Sequence, residues 1–326
     1  MLAFFIFDKN LLLKKLKKIL ISSFVFIFLM MNIIAIFHAY KFTHFIEANQ
    51  SFKRKPPNDL TTFEKVKMVF LGVENPKPSS NLAVPKEYKV ERLKSNVELE
   101  IWIKKVENEK GIVLLFHGYS SEKTSLLENA NYFNELGYST ILTDFMGSGN
   151  SEGYQTTIGF FEAENVKTVY NFALKNHKNV ILYGNSMGAS AIMRAVAQKD
   201  ANPSSIIIEC PFGTMKKTVD NRFKNMNIPT FPMSNLLTFW GGTINNFWAF
   251  DHNPEDYSKS IKQPILLLYG EKDKNVTNQE TQQIFQNIQS NSKILKTFPQ
   301  AGHENYLNRF GQEWKQTISS FLDKVK

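Results

Sequence analysis

The chain has 326 residues, a formal net charge of +9 and one cysteine, Cys210. This length allows one large α/β domain or two small ones, and it can bury enough surface to fold without a disulfide or a metal. A single cysteine excludes an internal disulfide framework, a cysteine-based zinc cluster and a CxxC redox pair. The composition, 43% hydrophobic and 21% charged, argues against a disordered chain.

The positive charge is concentrated at the N-terminus. Residues 1–55 hold nine lysines or arginines and two acidic residues, whereas the remainder holds 30 basic and 28 acidic residues. A nucleic-acid-binding protein would carry its basic residues on the folded domain. We therefore expect no nucleic-acid partner.

Residues 19–40 form an apolar run without Asp, Glu, Lys or Arg. A helix needs about 20 apolar residues to cross a bilayer. Four lysines stand before the run, which predicts a cytoplasmic N-terminus. The sequence thus predicts a signal anchor over residues 1–40, a lipid-bilayer partner and a single-pass membrane protein whose remaining domain is non-cytoplasmic. The alternative is a signal peptide that is cleaved to leave a secreted protein, although residues 37–39 match a cleavage site poorly.

A proline-punctuated connector is predicted over residues 41–85, and a regular α/β pattern follows over residues 86–326. Apolar strands alternate with helices, which predicts a doubly wound, mostly parallel sheet. The strands are expected at residues 88–93, 97–106, 111–116, 138–143, 180–183, 205–209, 265–269 and 293–298. The helices are expected at residues 122–136, 160–175, 187–198, 278–288 and 304–324.

The motif G-x-S-x-G occurs twice, around Ser151 and around Ser186. A nucleophilic serine of this kind needs a buried strand before it and a helix directly after it. The segment around Ser186 has both, whereas Ser151 lies in a glycine-rich loop with Glu152 beside it. We therefore predict that Ser186 is the nucleophile and that the Ser151 segment is structural.

A serine nucleophile needs a base, and the base needs an orienting acid. Among six histidines, only His303 follows Ser186 in the required order and stands just past a predicted strand. Asp273 stands just past the preceding strand, and we predict it as the acid, with the nearby Glu271 as the alternative carboxylate. The catalytic residues predicted from order and strand context are Ser186, Asp273 and His303.

The oxyanion hole is expected to use two backbone N–H groups. One belongs to Met187, directly after the nucleophile, and the other to Tyr119, in the loop after the strand at residues 111–116. The neighbouring His117 is interpreted as a residue that ties this loop down by hydrogen bonding.

The segments HGYS, DFMGSGNSEG, GNSMG, GEKD and AGHE, in this order, resemble the α/β-hydrolase superfamily. More narrowly they are similar to its serine-aminopeptidase-like branch, which includes BEM46-like membrane-anchored hydrolases and monoacylglycerol-lipase-like esterases. The resemblance covers about residues 86–326 and implies an α/β-hydrolase fold with a lid insertion, here at about residues 214–260. In that family the loop that here reads DFMGSGNSEG has the pattern D-x-R-G-x-G-x-S. Met146 stands at the position of the arginine, so the sequence does not show whether this loop forms a salt bridge.

The expected lid contains Trp240 and Trp248. They either line an apolar substrate pocket or pack the lid on the sheet, and the two interpretations stay open. No cofactor or metal is implied. The sequence predicts a serine hydrolase that cleaves small carboxylic esters or acyl substrates. The alternatives are a serine peptidase that acts on small peptides, and a catalytically silent membrane binding protein.

Overall fold

The computed structural model describes residues 9–47 and 61–325. The first eight residues of the predicted anchor and residues 48–60 of the predicted connector, which include Lys53, Arg54 and Lys55, lie outside the described residues.

Eight strands form one sheet in the spatial order β1-β2-β4-β3-β5-β6-β7-β8. The pairs β1–β2 and β2–β4 are antiparallel, and all other neighbours are parallel. This is the predicted mostly parallel, doubly wound sheet, so the expected fold is confirmed. The strands are β1 (Lys89–Lys94), β2 (Glu98–Lys104), β3 (Ile112–Phe116), β4 (Ser139–Thr143), β5 (Val180–Asn185), β6 (Ser205–Glu209), β7 (Ile265–Gly270) and β8 (Lys293–Phe298).

Helices cover both faces of the sheet. Every residue of β3, β4, β6 and β7 is buried, as expected for strands that pack helices on each side. Alternate side chains of β2 to β8 enter two separate apolar cores. The helices are α1 (Lys9–Thr43), α2 (Thr62–Leu71), α3 (Leu127–Glu135), α4 (Glu162–Leu174), α5 (Met187–Gln198), α6 (Met215–Asn225), α7 (Met233–Ile244), α8 (Pro254–Tyr257), α9 (Asn278–Asn287) and α10 (Tyr306–Lys324).

Three predicted helices begin later than expected, and in two of them the reason is local capping. The helix expected over residues 122–136 opens with a 3₁₀ turn at Lys123–Leu126, where the Glu122 side chain accepts from the Thr124 N–H at 2.8 Å. The last helix begins at Tyr306, since the Asn305 side chain caps the N–H of Asn308 at 3.3 Å. Neither change moves a strand.

The N-terminal helix α1 is 35 residues long, and its length and composition are sufficient to cross a membrane. Its first two thirds contact little else, so Leu20 and Phe24 are about 70% exposed. Its C-terminal third packs against α7, and there Ala35 and Ala39 are buried. The helix is therefore joined to the α/β domain by side-chain packing as well as by the chain.

The segment between β6 and β7 occupies the position of the predicted lid. It consists of α6, α7 and α8, and α7 packs against both α6 and α1. The lid and the end of α1 thus form one packed layer beside the carboxyl edge of the sheet.

Candidate active site

Ser186 stands on a strained turn between β5 and α5. Its backbone has φ 50° and ψ −111°, a conformation that costs free energy for a residue with a Cβ. Two glycines let the turn close. A Cβ on Gly184 would lie 2.7 Å from the carbonyl carbon of Gly188, and a Cβ on Gly188 would overlap the carbonyl oxygen of Phe116. The small residues of the motif therefore place Ser186 Oγ above the sheet at the N-terminus of α5.

The structure brings the three predicted catalytic side chains together. His303 Nε2 lies 2.9 Å from Ser186 Oγ, and His303 Nδ1 lies 2.7 Å from Asp273 Oδ2. These residues come from three loops, each of which follows a strand at the carboxyl edge of the sheet. The chain of hydrogen bonds can move a proton from the serine to the imidazole, whose other nitrogen faces a carboxylate.

The Asp273 side chain is held in place by hydrogen bonds from the backbone. The second oxygen of Asp273 accepts hydrogen bonds from the N–H groups of Asn275 at 2.7 Å and Val276 at 3.0 Å. The Asp273 side chain is fully buried, whereas Glu271 is exposed. The geometry thus favours Asp273 over Glu271 as the group that orients His303.

The environment of His303 favours its protonated form. The neighbouring sulfur of Cys210 contributes most, through the negative charge of its thiolate form, and the hydrogen bond to Asp273 adds to it, while burial opposes both. Together they raise the pKa of His303 above its ordinary value of 6.5. A raised pKa strengthens the neutral imidazole as a base, but it also lowers the fraction of His303 that is neutral, so the base is available mainly at pH values above that pKa.

Cys210 is a residue of this site that the sequence prediction missed. It follows β6 directly, is buried and has a positive φ of 40°. The signal that could have found it is its position just past a buried strand, at the same edge of the sheet as Asp273 and His303. Its sulfur lies within 4.8 Å of their ligand atoms. These three donors could hold a metal ion, but the ion would compete with the hydrogen bond between Asp273 and His303.

The loop after β3 lies against the nucleophile. A Cβ on Gly118 would lie 3.6 Å from the Cβ of Ser186, so the following Tyr119 N–H belongs to the loop that faces the serine. His117 is fully buried, and its ring bonds the carbonyl of Gly118 at 2.8 Å and accepts from the Phe145 N–H at 3.2 Å. Met187 is the first residue of α5, so its N–H has no acceptor within the helix.

The second serine motif is part of a buried structural loop. Ser151 is 1% exposed, donates to the Asp144 carbonyl at 2.8 Å and accepts from the Glu100 N–H at 2.9 Å. The cation that the loop lacks at Met146 comes from elsewhere: the buried Lys123 Nζ lies 2.5 Å from Asp144 and 2.9 Å from Glu100. The loop's salt bridge therefore exists with a different partner.

The aromatic end of α1 contacts the same loop. The Phe42 ring stacks on Tyr119 with centroids 4.6 Å apart, and the Tyr119 hydroxyl donates to the Phe42 carbonyl at 2.8 Å. The guanidinium of Arg222 lies 4.4 Å above Phe42 and 5.8 Å from the Tyr119 ring. A cation therefore stands beside the expected oxyanion loop.

The two lid tryptophans have different environments. Trp240 donates its indole N–H to Asn32 of α1 at 2.9 Å. Trp248 is 52% exposed and packs against Phe239 and Phe250. Trp240 thus holds the lid to α1, and Trp248 lies at the surface, so a role for either in substrate binding stays a prediction.

A doubly wound sheet with a serine on a strained strand-to-helix turn defines an α/β-hydrolase. The sequence profile of the family described as "Serine aminopeptidase, S33" matches residues 107–238 and 252–309, which is more than half of the chain. The chain belongs to this family, and the resemblance stated from its motifs is confirmed. The unmatched residues 239–251 lie in the lid.

Several known proteins are similar to the chain. Protein bem46 of Schizosaccharomyces pombe is 23% identical over 255 residues, which cover 74% of this chain and 80% of the relative. Protein YqkD of Bacillus subtilis is 22% identical over 218 residues, covering 65% and 71%. The esterase Pf2001 of Pyrococcus furiosus superposes with a TM-score of 0.65 at 25% identity and covers 76% of this chain and 96% of its own.

Proposed function

We propose that this hydrolase is a membrane-anchored serine esterase that works through Ser186, His303 and Asp273. The observation that carries the proposal is the continuous hydrogen-bond chain from Ser186 Oγ through His303 to Asp273, with distances of 2.9 and 2.7 Å. These distances are within the range expected of a nucleophile, a base and an orienting acid.

The reaction begins when Ser186 Oγ attacks the ester carbonyl and His303 takes its proton. The N–H groups of Met187 and Tyr119 bind the resulting oxyanion, and the N-terminal dipole of α5 favours the negative charge. His303 then protonates the leaving alcohol, and the acyl group stays on the serine. Water, deprotonated by His303, hydrolyses the acyl-enzyme, while Asp273 holds the imidazole in the required tautomer.

Charge near the site favours esters over free peptides. An aminopeptidase substrate carries a protonated amine, which a neighbouring cation repels. Arg222 places its guanidinium beside Phe42 and Tyr119, and in the described part of the chain it has no ion-pair partner. The similar Pf2001 is an esterase. The family's description favours a serine peptidase acting on small peptides as the second candidate.

The anchoring proposal rests on α1. Its segment Leu11–Thr43 is long and apolar enough to span a bilayer. The lysines before the apolar run at residues 19–40 favour a cytoplasmic N-terminus and a catalytic domain on the opposite side. A cleaved signal peptide would instead remove the helix that packs against α7.

A substrate panel tests the proposed reaction. The full chain, in detergent micelles, is assayed with p-nitrophenyl esters of increasing chain length and with aminoacyl amides, beside the Ser186→Ala variant. We expect ester hydrolysis that the variant loses by several orders of magnitude. Faster cleavage of aminoacyl amides would favour the peptidase, and no turnover of either class would favour a binding protein.

A further inference from the structure

The lid is bound to the anchor helix at a depth that a bilayer would occupy. Trp240 of α7 donates to Asn32 of α1 at 2.9 Å. A hydrocarbon core takes about 20 helical residues at 1.5 Å each, so a span that begins at Ile19 ends near His38. Asn32 precedes His38 by six residues, which corresponds to about 9 Å of helix. The contact between α1 and α7 therefore lies inside the leaflet on the side of the α/β domain, the near leaflet.

The composition of the lid agrees with this depth. Residues 225–250 contain no Asp, Glu, Lys, Arg or His, in a chain that is 21% charged. The side chains in this stretch include several large apolar groups that are exposed, and water is a poor solvent for such a patch. They are Met226, Ile228, Phe231, Phe239 and Trp248. Of these five residues, only Phe239 and Trp248 fall outside the ranges that match the family.

Helix α2 continues the apolar surface at the level where the span ends. The ring of His38 bonds the carbonyl of Val69 at 2.8 Å, which fixes α2 beside α1. Phe63, Val66 and Phe70 follow the i, i+3, i+7 spacing of one helix face and are all exposed. The exposed Lys65 and Lys67 lie on the remaining surface of the helix. A helix with one apolar face and lysines on its other side is typical of the headgroup region.

The apolar surface leads to the nucleophile. The Phe42 ring at the end of α1 stacks on Tyr119, and Tyr119 follows Gly118, which lies beside Ser186. A substrate that leaves the near leaflet beside α1 thus meets the oxyanion loop first.

We propose that α7 and α2 are embedded in the near leaflet of the bilayer that α1 spans, and that the substrate is an acyl ester dissolved in that leaflet. The inference rests on the proposed esterase function and deepens it, because it assigns a lipid-like substrate that enters from the membrane. The occupant of the apolar surface is the lipid leaflet, since the surface is continuous with the span of α1.

The test compares one ester in water with one in the membrane. The full chain is reconstituted into phosphatidylcholine–phosphatidylglycerol vesicles and assayed with p-nitrophenyl acetate and with p-nitrophenyl palmitate incorporated in the bilayer. The variant Phe63→Asp/Phe231→Asp replaces two side chains that are each 77% exposed, so the packing of the domain is kept. The control is Leu174→Asp, which changes an apolar residue of α4 that is 44% exposed.

We expect the double variant to lose about tenfold or more of its activity on the palmitate, because two carboxylates oppose insertion of the surface. Its activity on the acetate should stay within about twofold, and the control should change neither. An unchanged palmitate-to-acetate ratio in the double variant would overturn the inference, whereas a wild type inactive on both esters would overturn the proposed function.

The depth of the lid in the bilayer can be measured independently of catalysis. Brominated lipids quench tryptophan fluorescence on contact, and Trp248 is 52% exposed whereas Trp102 and Trp314 are buried. We expect quenching in the wild type that falls in Trp248→Phe. If brominated lipids do not quench the fluorescence, the apolar surface does not contact the bilayer. Cross-links between two copies of the chain through this surface would likewise contradict the proposal that the membrane covers it.

Discussion

Replacing Glu209 with glutamine should change how stability depends on pH. Glu209 ends β6 and is 1% exposed, and its Oε1 accepts from the Tyr183 hydroxyl at 2.8 Å and from the Trp314 indole at 2.6 Å. Its backbone carbonyl accepts from the Ser186 N–H at 2.8 Å. The side chain therefore joins the nucleophile's turn to α10, which follows the loop of His303.

Burial raises the pKa of Glu209 to about 7 from an ordinary 4.5. The folded protein keeps this proton to a higher pH than the unfolded chain does, so unfolding releases it between these values. The free energy of unfolding consequently falls as pH rises from about 4.5 to about 7, and it is constant outside that window. One proton over that interval corresponds to about 3 kcal/mol.

Glu209→Gln removes this titration and keeps a carbonyl that accepts from Trp314 and Tyr183. The assay is urea unfolding of the full chain in detergent micelles at a series of pH values from about 4.5 to 8. The variant should gain about 3 kcal/mol relative to the wild type across the window. The exposed Glu128 of α3 gives the matched control, Glu128→Gln. A difference between Glu209→Gln and wild type that is constant with pH would refute the reasoning.

Three further predictions test the site and its support. Asp273→Asn should lower kcat on a soluble ester by on the order of 10⁴-fold, because the imidazole loses the correct tautomer. Glu271→Gln should keep kcat close to that of the wild type. The reverse result would assign the orienting acid to Glu271. The acid limb of the pH profile of kcat/KM should lie above pH 6.5, because the pKa of His303 is raised. Cys210→Ala should move this limb to lower pH. A limb that stays in place would show that the sulfur does not raise the pKa of His303. Lys123→Met should cost about 3–5 kcal/mol of unfolding free energy, since it removes the cation that pairs with the buried Asp144 and leaves Glu100 with Arg92 alone. An unchanged urea midpoint would show that Lys123 is dispensable for stability.

The sheet was predictable because its signals are local. Continuous apolar runs such as Ile112–Phe116 bury both faces of a strand, and glycine-rich turns end them at the carboxyl edge. The same edge collects the residues that follow each strand, so order along the chain and strand context were enough to choose Ser186, Asp273 and His303. The structure brings these three side chains into contact, and their catalytic roles stay predictions.

The long-range contacts were not predictable from local pattern. Lys123 reaches Asp144 across 21 positions, and Trp240 reaches Asn32 across 208. No spacing rule relates such residues, because tertiary packing alone brings them together. Cys210 was missed for a different reason: one cysteine excludes disulfides, but that arithmetic does not say which neighbours its sulfur has.

One labelling measurement tests directly whether Ser186 is the nucleophile. The full chain is treated with a fluorophosphonate probe, digested and mapped by mass spectrometry, beside Ser186→Ala and Ser151→Ala. We predict one adduct, on the peptide that contains Ser186, which Ser151→Ala keeps and Ser186→Ala loses, because only Ser186 Oγ lies within hydrogen-bond distance of His303 Nε2, at 2.9 Å, among the residues that the structure describes. An adduct on Ser151, or labelling that persists in Ser186→Ala, would contradict the account.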